Sequence, residues 1–361
     1  MKKKTVALLM TAAMTVAALG GCGNAGKAGE NVSSGAEESI AGTTETDAAD
    51  GAVYKVGIVQ FVDDASLNQI EAAIEKELDA KAAELGVTFN YGDYTYNGQA
   101  DSTVLNQIAS ELVASEVDVI VPIATPAAMI MQNATEENQI PVVFSAVSDP
   151  VGAGLVAGMD APGSNITGTS DALNTDAVMD LIFAADPDIK TLGLLYNKSE
   201  DASKAPVEAA KAYCEAKGVN VIEKTGTTND EISLAADALI AGGAEAIFTP
   251  TDNTVMTAEL AIYEKFIEAG VPHYGGADSF ALNGAFLGYG VNYEELGTAT
   301  ADMIATILVD GADPASTAVV TLDNGIATVN TETAEAIGFE YSMFADMCTA
   351  LKEIVTAEEF E

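Results

Sequence analysis

From residue 53 onward, short apolar runs alternate with longer stretches in which apolar side chains recur every three or four positions. The first run, 53–59, predicts a buried strand, and the stretch after it predicts a helix that ends at Gly86. Three more strands are predicted up to residue 144. After residue 170 the same alternation of strands and helices begins again, with strands at 191–196, 219–223, 244–249 and 271–274. A further long helix is predicted over 293–308. This alternation predicts an α/β fold of two lobes, each with a parallel sheet covered by helices on both faces.

The two predicted lobes match at one junction between a strand and a helix. Residues 119–126 leave a buried strand and enter a helix, and residues 246–253 do the same in the second lobe. Ligands of open parallel sheets bind outside the carboxyl ends of the strands. If the two lobes face each other, both junctions point into one cleft.

The first 52 residues follow a different pattern. Three lysines and a short apolar run end in Leu19-Gly20-Gly21-Cys22, which predicts a secretory signal peptide over residues 1–21. The small residues before Cys22 resemble a bacterial lipobox, so Cys22 is expected to carry a lipid; an ordinary signal peptide is the alternative. Residues 23–52 offer little to bury, so residues 22–52 are expected to be a lipidated cysteine and a flexible tether.

Charge and composition remove several functional classes. The net charge of −40 excludes nucleic-acid binding as the main function, because a phosphate backbone would be repelled. All 15 basic residues are lysines, so no guanidinium fork is available for a ligand carboxylate or phosphate. A single histidine, His273, excludes a histidine-based metal site, and we expect neither a metal nor a cofactor. Cys214 and Cys348 could pair, but their spacing does not require it, and free thiols are the favoured state.

The sequence also lacks the motifs of a catalytic site. It contains neither a Gly-x-Ser-x-Gly elbow nor a phosphate loop, and it has no Cys–His pair with an orienting partner. Acidic pairs are frequent, but among 55 acidic residues chance pairs are expected. We therefore expect a protein that is not an enzyme.

Several segments, in order along the chain, resemble the ABC-transporter substrate-binding lipoproteins of the tryptophan/tyrosine-binding type. They are residues 57–61, 124–128, 145–156, 163–171, 196–203, 251–253 and 291–297, with Asn292 where the family more often has Asp. The resemblance implies a type I periplasmic-binding fold: two Rossmann-like lobes joined by three hinge segments, near 167–171, 276–280 and 312–317. The first lobe would comprise 53–168 and 278–312, and the second 169–277 and 313–361. The helix over 293–308 would return to the first lobe.

The candidate ligand-binding residues come mainly from these segments and the strand ends. They are Phe61, Thr125, Pro126, Ala127, Ser145, Asp149, Asn197, Glu200, Asp252, Asn253 and Asp278. The Thr125 hydroxyl and the N–H groups after it can bind a carboxylate at the start of a helix. Asp252 and Asn253, at the matching junction, can accept hydrogen bonds from an ammonium. The alternative for both junctions is ordinary helix capping.

The remaining candidates carry alternatives of their own. Phe61 can lie over a flat side chain at the edge of the cleft, or it can simply pack in the core. Asp149 is either a turn residue or a carboxylate of the cleft, and Glu200 leaves the same question open at another strand end. Asp278 is a further candidate for an ammonium. His273 is expected to be structural.

The function that the resemblance implies is a lipid-anchored extracytoplasmic receptor of an ABC importer. It would capture a small ligand, expected to be an amino acid and more narrowly an aromatic one, by closing its lobes, and would act as a monomer with a permease and an ATPase. A nucleoside-like ligand or another small zwitterion is one alternative. A surface sensor that signals to a kinase is another.

Overall fold

The computed structural model describes residues 51–322 and 325–360. The expected signal peptide, the lipidated Cys22 and most of the tether lie outside the described residues. None of the described helices is both long enough and apolar enough to cross a membrane.

The first part of the chain builds one sheet with helices on its faces. Its elements are β1 (Val53–Gln60), α1 (Ala65–Leu85), β2 (Thr88–Asn90), β3 (Thr95–Asn97), α2 (Ser102–Ala114), β4 (Val119–Ile123), α3 (Thr125–Thr135), β5 (Val142–Phe144) and β6 (Ile166–Ser170). The strands β2, β1, β4, β5 and β6 lie side by side in that order, β3 also pairs with β1, and all pairs are parallel. Every residue of β4 is buried, as expected for a central strand covered on both faces.

The rest of the chain builds a second sheet and adds two elements to the first lobe. The elements are α4 (Thr175–Ala185), β7 (Thr191–Tyr196), α5 (Asp201–Lys217), β8 (Asn220–Thr225), α6 (Asn229–Ala241), β9 (Ala246–Thr249), α7 (Asn253–Ala269), β10 (His273–Gly275), α8 (Asp278–Leu282), β11 (Leu287–Gly290), α9 (Tyr293–Leu308), β12 (Val320–Thr321), β13 (Ile326–Asn330), α10 (Thr331–Ile337) and β14 (Ala350–Ile354). The second sheet has the order β8-β7-β9-β10-β11-β13-β14, and only the β11–β13 pair is antiparallel among these described strands.

Local sequence explains where α1 begins and ends. The Asp64 carboxylate accepts a hydrogen bond from the N–H of Ser66 at 2.9 Å and so caps the first turn. Gly86 ends the helix in the left-handed conformation, with φ +69°, which glycine adopts without a steric penalty. The predicted end of this helix is therefore confirmed.

Helix α9 packs against α1 of the first lobe, so the two helices lie on the same sheet face. Gly297 makes this close approach possible. A Cβ atom at this position would lie 2.5 Å from the carbonyl oxygen of Ile70.

The chain passes between the two lobes at two places other than those expected. Residues 278–290 were assigned to the first lobe, but Leu287–Gly290 pairs with β10 and β13 in the second sheet. Residues 313–322 were assigned to the second lobe, but Val320 pairs with Thr169 of β6. Those two assignments are wrong: the chain changes lobe between β11 and α9 and between β12 and β13, not near 276–280 and 312–317. The apolar pattern could not show this, because it predicts a strand without naming its partner.

Candidate functional site

A narrow cavity lies where the two lobes meet. It is lined by Ser66, Leu67, Ala124, Thr125, Ala146, Ser148, Asp171 and Tyr293 from the first lobe, and by Ala202, Thr251, Asn253 and Met256 from the second. We call it the seam cavity. Most of these residues follow the carboxyl end of a strand or begin a helix, which is where parallel sheets place their ligand sites. The two junctions that the sequence pointed to, at Thr125 and Asn253, both reach it.

The start of α3 is open toward a ligand. Ala124 is the N-cap residue, and no side chain caps the helix. Thr125, for which capping was the alternative role, is instead the first helical residue, and Pro126 follows it. Because the first N–H groups of a helix lack partners within the helix, they attract an anion at this end. Thr125 lines the seam cavity, and the adjacent Ala127 is fully buried beneath it.

Two alanines of the seam cavity have an unusual backbone. Ala124 has φ +80° and Ala146 has φ +54°, and they follow the neighbouring strands β4 and β5. A residue with a Cβ atom pays roughly 1–3 kcal/mol for such a conformation, and strained residues of this kind cluster at ligand sites. Neither alanine was singled out from the sequence, because no residue type in the sequence indicates that an alanine will have a positive φ.

Asp171 is the carboxylate that the first lobe presents to the seam cavity. It follows β6, its side chain is only 4% exposed, and the Ser148 hydroxyl donates to its Oδ1 atom at 3.0 Å. Burial raises the pKa of Asp171 to about 6. None of the described residues that line the cavity is basic, so an ionised Asp171 has no counter-charge there. It was not among the predicted site residues. The available signal was an acidic residue directly after a buried strand.

Asp278 joins the lobes beside the cavity. Its Oδ1 atom accepts from the Ser66 hydroxyl at 2.6 Å, and its Oδ2 atom accepts from the Gln69 amide at 3.2 Å. Ser66 also accepts from the N–H of Ser279 at 3.1 Å, so the start of α1 is bound to the start of α8. Burial raises the pKa of Asp278, and it raises that of the nearby Asp64 to about 7. Asp278 is thus held by first-lobe side chains and is not among the residues that line the cavity.

Asp252 and Glu200 both cap α7 inside the second lobe. Asp252 is fully buried and accepts from the N–H of Asn197 at 2.7 Å, the Ser203 hydroxyl at 2.6 Å and the N–H of Val255 at 3.0 Å. Burial and the neighbouring Glu200 raise the pKa of Asp252.

Glu200 accepts from the backbone and side-chain nitrogens of Asn253, at 2.9 Å and 2.7 Å, and from the N–H of Thr254 at 2.8 Å. The structure therefore favours the capping alternative for Asp252, and it places Glu200 on the same helix start and outside the lining of the seam cavity. Asn253 is the residue of this junction that lines the seam cavity.

The other predicted residues lie outside the lining of the seam cavity. Phe61 is half-buried and packs against the core of the first lobe. Ser145 is fully buried and hydrogen-bonded to Thr300 at 2.9 Å, which ties α9 to the sheet. Asp149 accepts from the N–H of Gly152 at 2.8 Å, as the turn alternative expects. The Asn197 amide donates to the Thr254 hydroxyl at 2.9 Å.

Sequence comparison identifies the family. The profile of ABC transporter substrate binding proteins matches residues 55–343, most of the described chain. The chain belongs to this family.

Two relatives are informative because of what they bind. The "Tyrosine-binding protein" of Clostridioides difficile (strain R20291) is 30% identical over 339 residues, which are 94% of this chain and 93% of the relative. The ABC domain from Streptococcus pneumoniae, solved in complex with L-Trp, is 31% identical and has a TM-score of 0.76 over 83% of this chain and 100% of that chain.

A third relative, a ligand-free, open substrate-binding protein with adhesive properties from Clostridium difficile, has the same 31% identity. Its TM-score is 0.64 over 84% of this chain and 100% of that chain. The similarity to these solved structures shows that the two sheets form a type I periplasmic-binding fold, which confirms the predicted fold class.

Proposed function

We propose that this substrate-binding protein is the receptor of an ABC importer for a free aromatic amino acid, held as a zwitterion in the seam cavity. The observation that carries the proposal is that one site for an anion and one site for a cation line the same cavity. The uncapped start of α3 attracts a carboxylate. The buried carboxylate of Asp171 has no basic partner in the lining and attracts an ammonium.

The aromatic part of the proposal comes from the relatives. One is named for tyrosine and another was solved with L-Trp, both at 30% identity or above over most of the chain. Neither name extends to this chain by itself, so the aromatic side chain is an expectation that binding measurements must test.

Capture by closure of the lobes is part of the proposal. Asn253 and Ala202 of the second lobe face first-lobe residues across the seam cavity, so a ligand there would touch both lobes and favour the closed state. The TM-score is higher with the relative solved with L-Trp than with the open, ligand-free relative at equal identity, which supports a closed arrangement.

Anchoring and partners complete the proposal. Cys22 would carry the lipid that holds the receptor at the outer face of the membrane, with residues 23–52 as the tether. Delivery would require a permease and an ATPase, and the receptor would act as a monomer.

The test is isothermal titration calorimetry of the detergent-solubilised protein with amino acids, nucleosides and sugars. We expect L-tyrosine or L-tryptophan to bind with the lowest Kd and the corresponding decarboxylated amine to bind at least about tenfold more weakly, since it lacks the carboxylate. Preference for a nucleoside or a sugar over every amino acid would overturn the proposal.

A further inference from the structure

Two spaces of different chemistry lie beside the seam cavity. On one side it shares Ser148 and Ala202 with an open groove of about 470 Å³, which we call the side groove. On the other side it shares Met256 with a space of about 240 Å³, which we call the acidic opening. The seam cavity itself measures only about 10 Å³. That is about the space of one water molecule, so the seam has to widen to admit the ammonium and carboxylate of an amino acid, and the side chain has to extend into one of these two spaces.

The side groove suits a large apolar side chain. Leu173 lies on one wall, and Ala202, Ala205 and Pro206 of α5 form the other. Small side chains on a helix leave room for a ring to lie against the helix surface. The volume falls within the range of roughly 300–1,000 Å³ that is common for small-molecule sites.

The rim of the side groove can accept hydrogen bonds. Asp149 and Asp176 both line it, and Asp149 remains half-buried with one oxygen on the N–H of Gly152. A carboxylate at the edge of an apolar groove favours a ring that carries a donor at its far end, such as a phenol O–H or an indole N–H.

The acidic opening is a poor place for the same ring. Asp63, Asp64, Glu358 and Glu359 line it, with Met256 and Leu260 as its apolar residues. Placing an aromatic ring there would remove water from several carboxylates without providing a counter-charge, which is costly.

We propose that the side chain of the bound amino acid lies in the side groove, and that Ala202 and Ala205 determine the largest side chain the receptor accepts. The inference rests on the proposed function, because it needs the amino group and carboxylate in the seam cavity. It adds the direction in which the ligand extends and a preference for phenol and indole side chains over purely apolar ones.

The test compares one phenylalanine substitution at each side of the seam cavity. Ala205→Phe fills the side groove, and Leu260→Phe is the matched control at the acidic opening. Both positions are exposed on the surface of long helices, so both variants should fold, which thermal melting checks. Calorimetry with L-tyrosine, L-tryptophan and L-alanine then gives Kd for each protein.

We expect Ala205→Phe to raise Kd for both aromatic amino acids at least about tenfold, in line with the cost of overpacking, and to leave L-alanine within about threefold. Leu260→Phe should leave all three within about threefold. Equal losses for alanine and tyrosine in Ala205→Phe, or a selective loss of tyrosine in Leu260→Phe, would overturn the inference. Failure of the wild type to bind any amino acid would instead refute the proposed function.

A second measurement uses the absence of tryptophan from the chain. Because the protein contributes no tryptophan emission, the fluorescence of bound L-tryptophan can be read after the signal of free L-tryptophan is subtracted, and acrylamide quenching reports its exposure. We expect partial quenching in the open side groove in the wild type. Leu260→Phe should not change this quenching, and a change there would count against the side groove.

Discussion

Asp171→Asn tests the charge on which the proposed ligand pose depends. The substitution keeps the size of the side chain, and its amide oxygen can still accept from the Ser148 hydroxyl at about the present 3.0 Å. What it removes is the negative charge beside the ligand ammonium. The variant should therefore fold normally and bind amino acids poorly.

The size of the effect follows from the burial of Asp171. A hydrogen bond to a charged group contributes about 1.5–3 kcal/mol, so Kd should rise roughly 10- to 100-fold. Asp171 is only 4% exposed, which places the expected value in the upper half of that range.

Asp252→Asn is the matched control, because it is the same change at the carboxylate that the sequence favoured. Asp252 caps α7 through Val255 and accepts from Ser203 within its own lobe. We expect this variant to melt at a lower temperature than the wild type. Its Kd should change less than about threefold, because residue 252 does not face a charged group of the ligand. Calorimetry with the best amino acid measures both variants. A larger loss of affinity in Asp252→Asn than in Asp171→Asn would refute the assignment of the ammonium.

The pH dependence of binding gives an independent check. Burial raises the pKa of Asp171 to about 6, and an ammonium binds the ionised form. A proton must therefore leave Asp171 when ligand binds below this pH, so affinity should fall as pH drops through about 6, at most about tenfold per pH unit. Burial also raises the pKa of Asp64, to about 7, and that of Asp278, so the informative quantity is the difference between the wild type and Asp171→Asn. Equal pH profiles for the two proteins would contradict the assignment.

Three further predictions concern other parts of the molecule. Cys22→Ala should release the protein from membranes or leave it unprocessed, as detergent partitioning and the mass of the mature chain would show; normal processing with unchanged partitioning would argue against lipidation. Glu259→Leu removes the carboxylate 2.9 Å from the Nδ1 atom of the buried His273, while Nε2 keeps its hydrogen bond with Thr249, and should lower the free energy of unfolding by about 1–3 kcal/mol in urea titrations, whereas an unchanged value would show that the pair is dispensable. Gly168→Ala would place a Cβ atom 2.1 Å from the carbonyl oxygen of Phe144, so we expect the free energy of unfolding to fall by about 1–3 kcal/mol in the same assay, and an unchanged value would mean that the strands can separate locally.

The sequence by itself determined the architecture and the family. Helical spacing and strand-length apolar runs are local properties, so they predicted alternating strands and helices in two lobes, with ends such as Gly86. The segments around residues 145–171 carried the family resemblance, and the profile match confirms it. The same reasoning reached both strand-to-helix junctions of the seam cavity, at Thr125 and Asn253.

Only the tertiary structure decided which sheet a strand joins and which carboxylate faces the ligand. Leu287–Gly290 and Val320–Thr321 are short strands of four and two residues, and nothing in their own residues indicates that the first pairs with β10 and β13 and the second with β6. Asp171 and Asp252 both follow buried strands. Asp252 turns inward because the start of α7 and Ser203 offer it donors, whereas Asp171 accepts from Ser148 and lines the seam cavity. The direction of a carboxylate depends on the donors that neighbouring elements bring to it, and that arrangement exists only once the elements of each lobe have folded together.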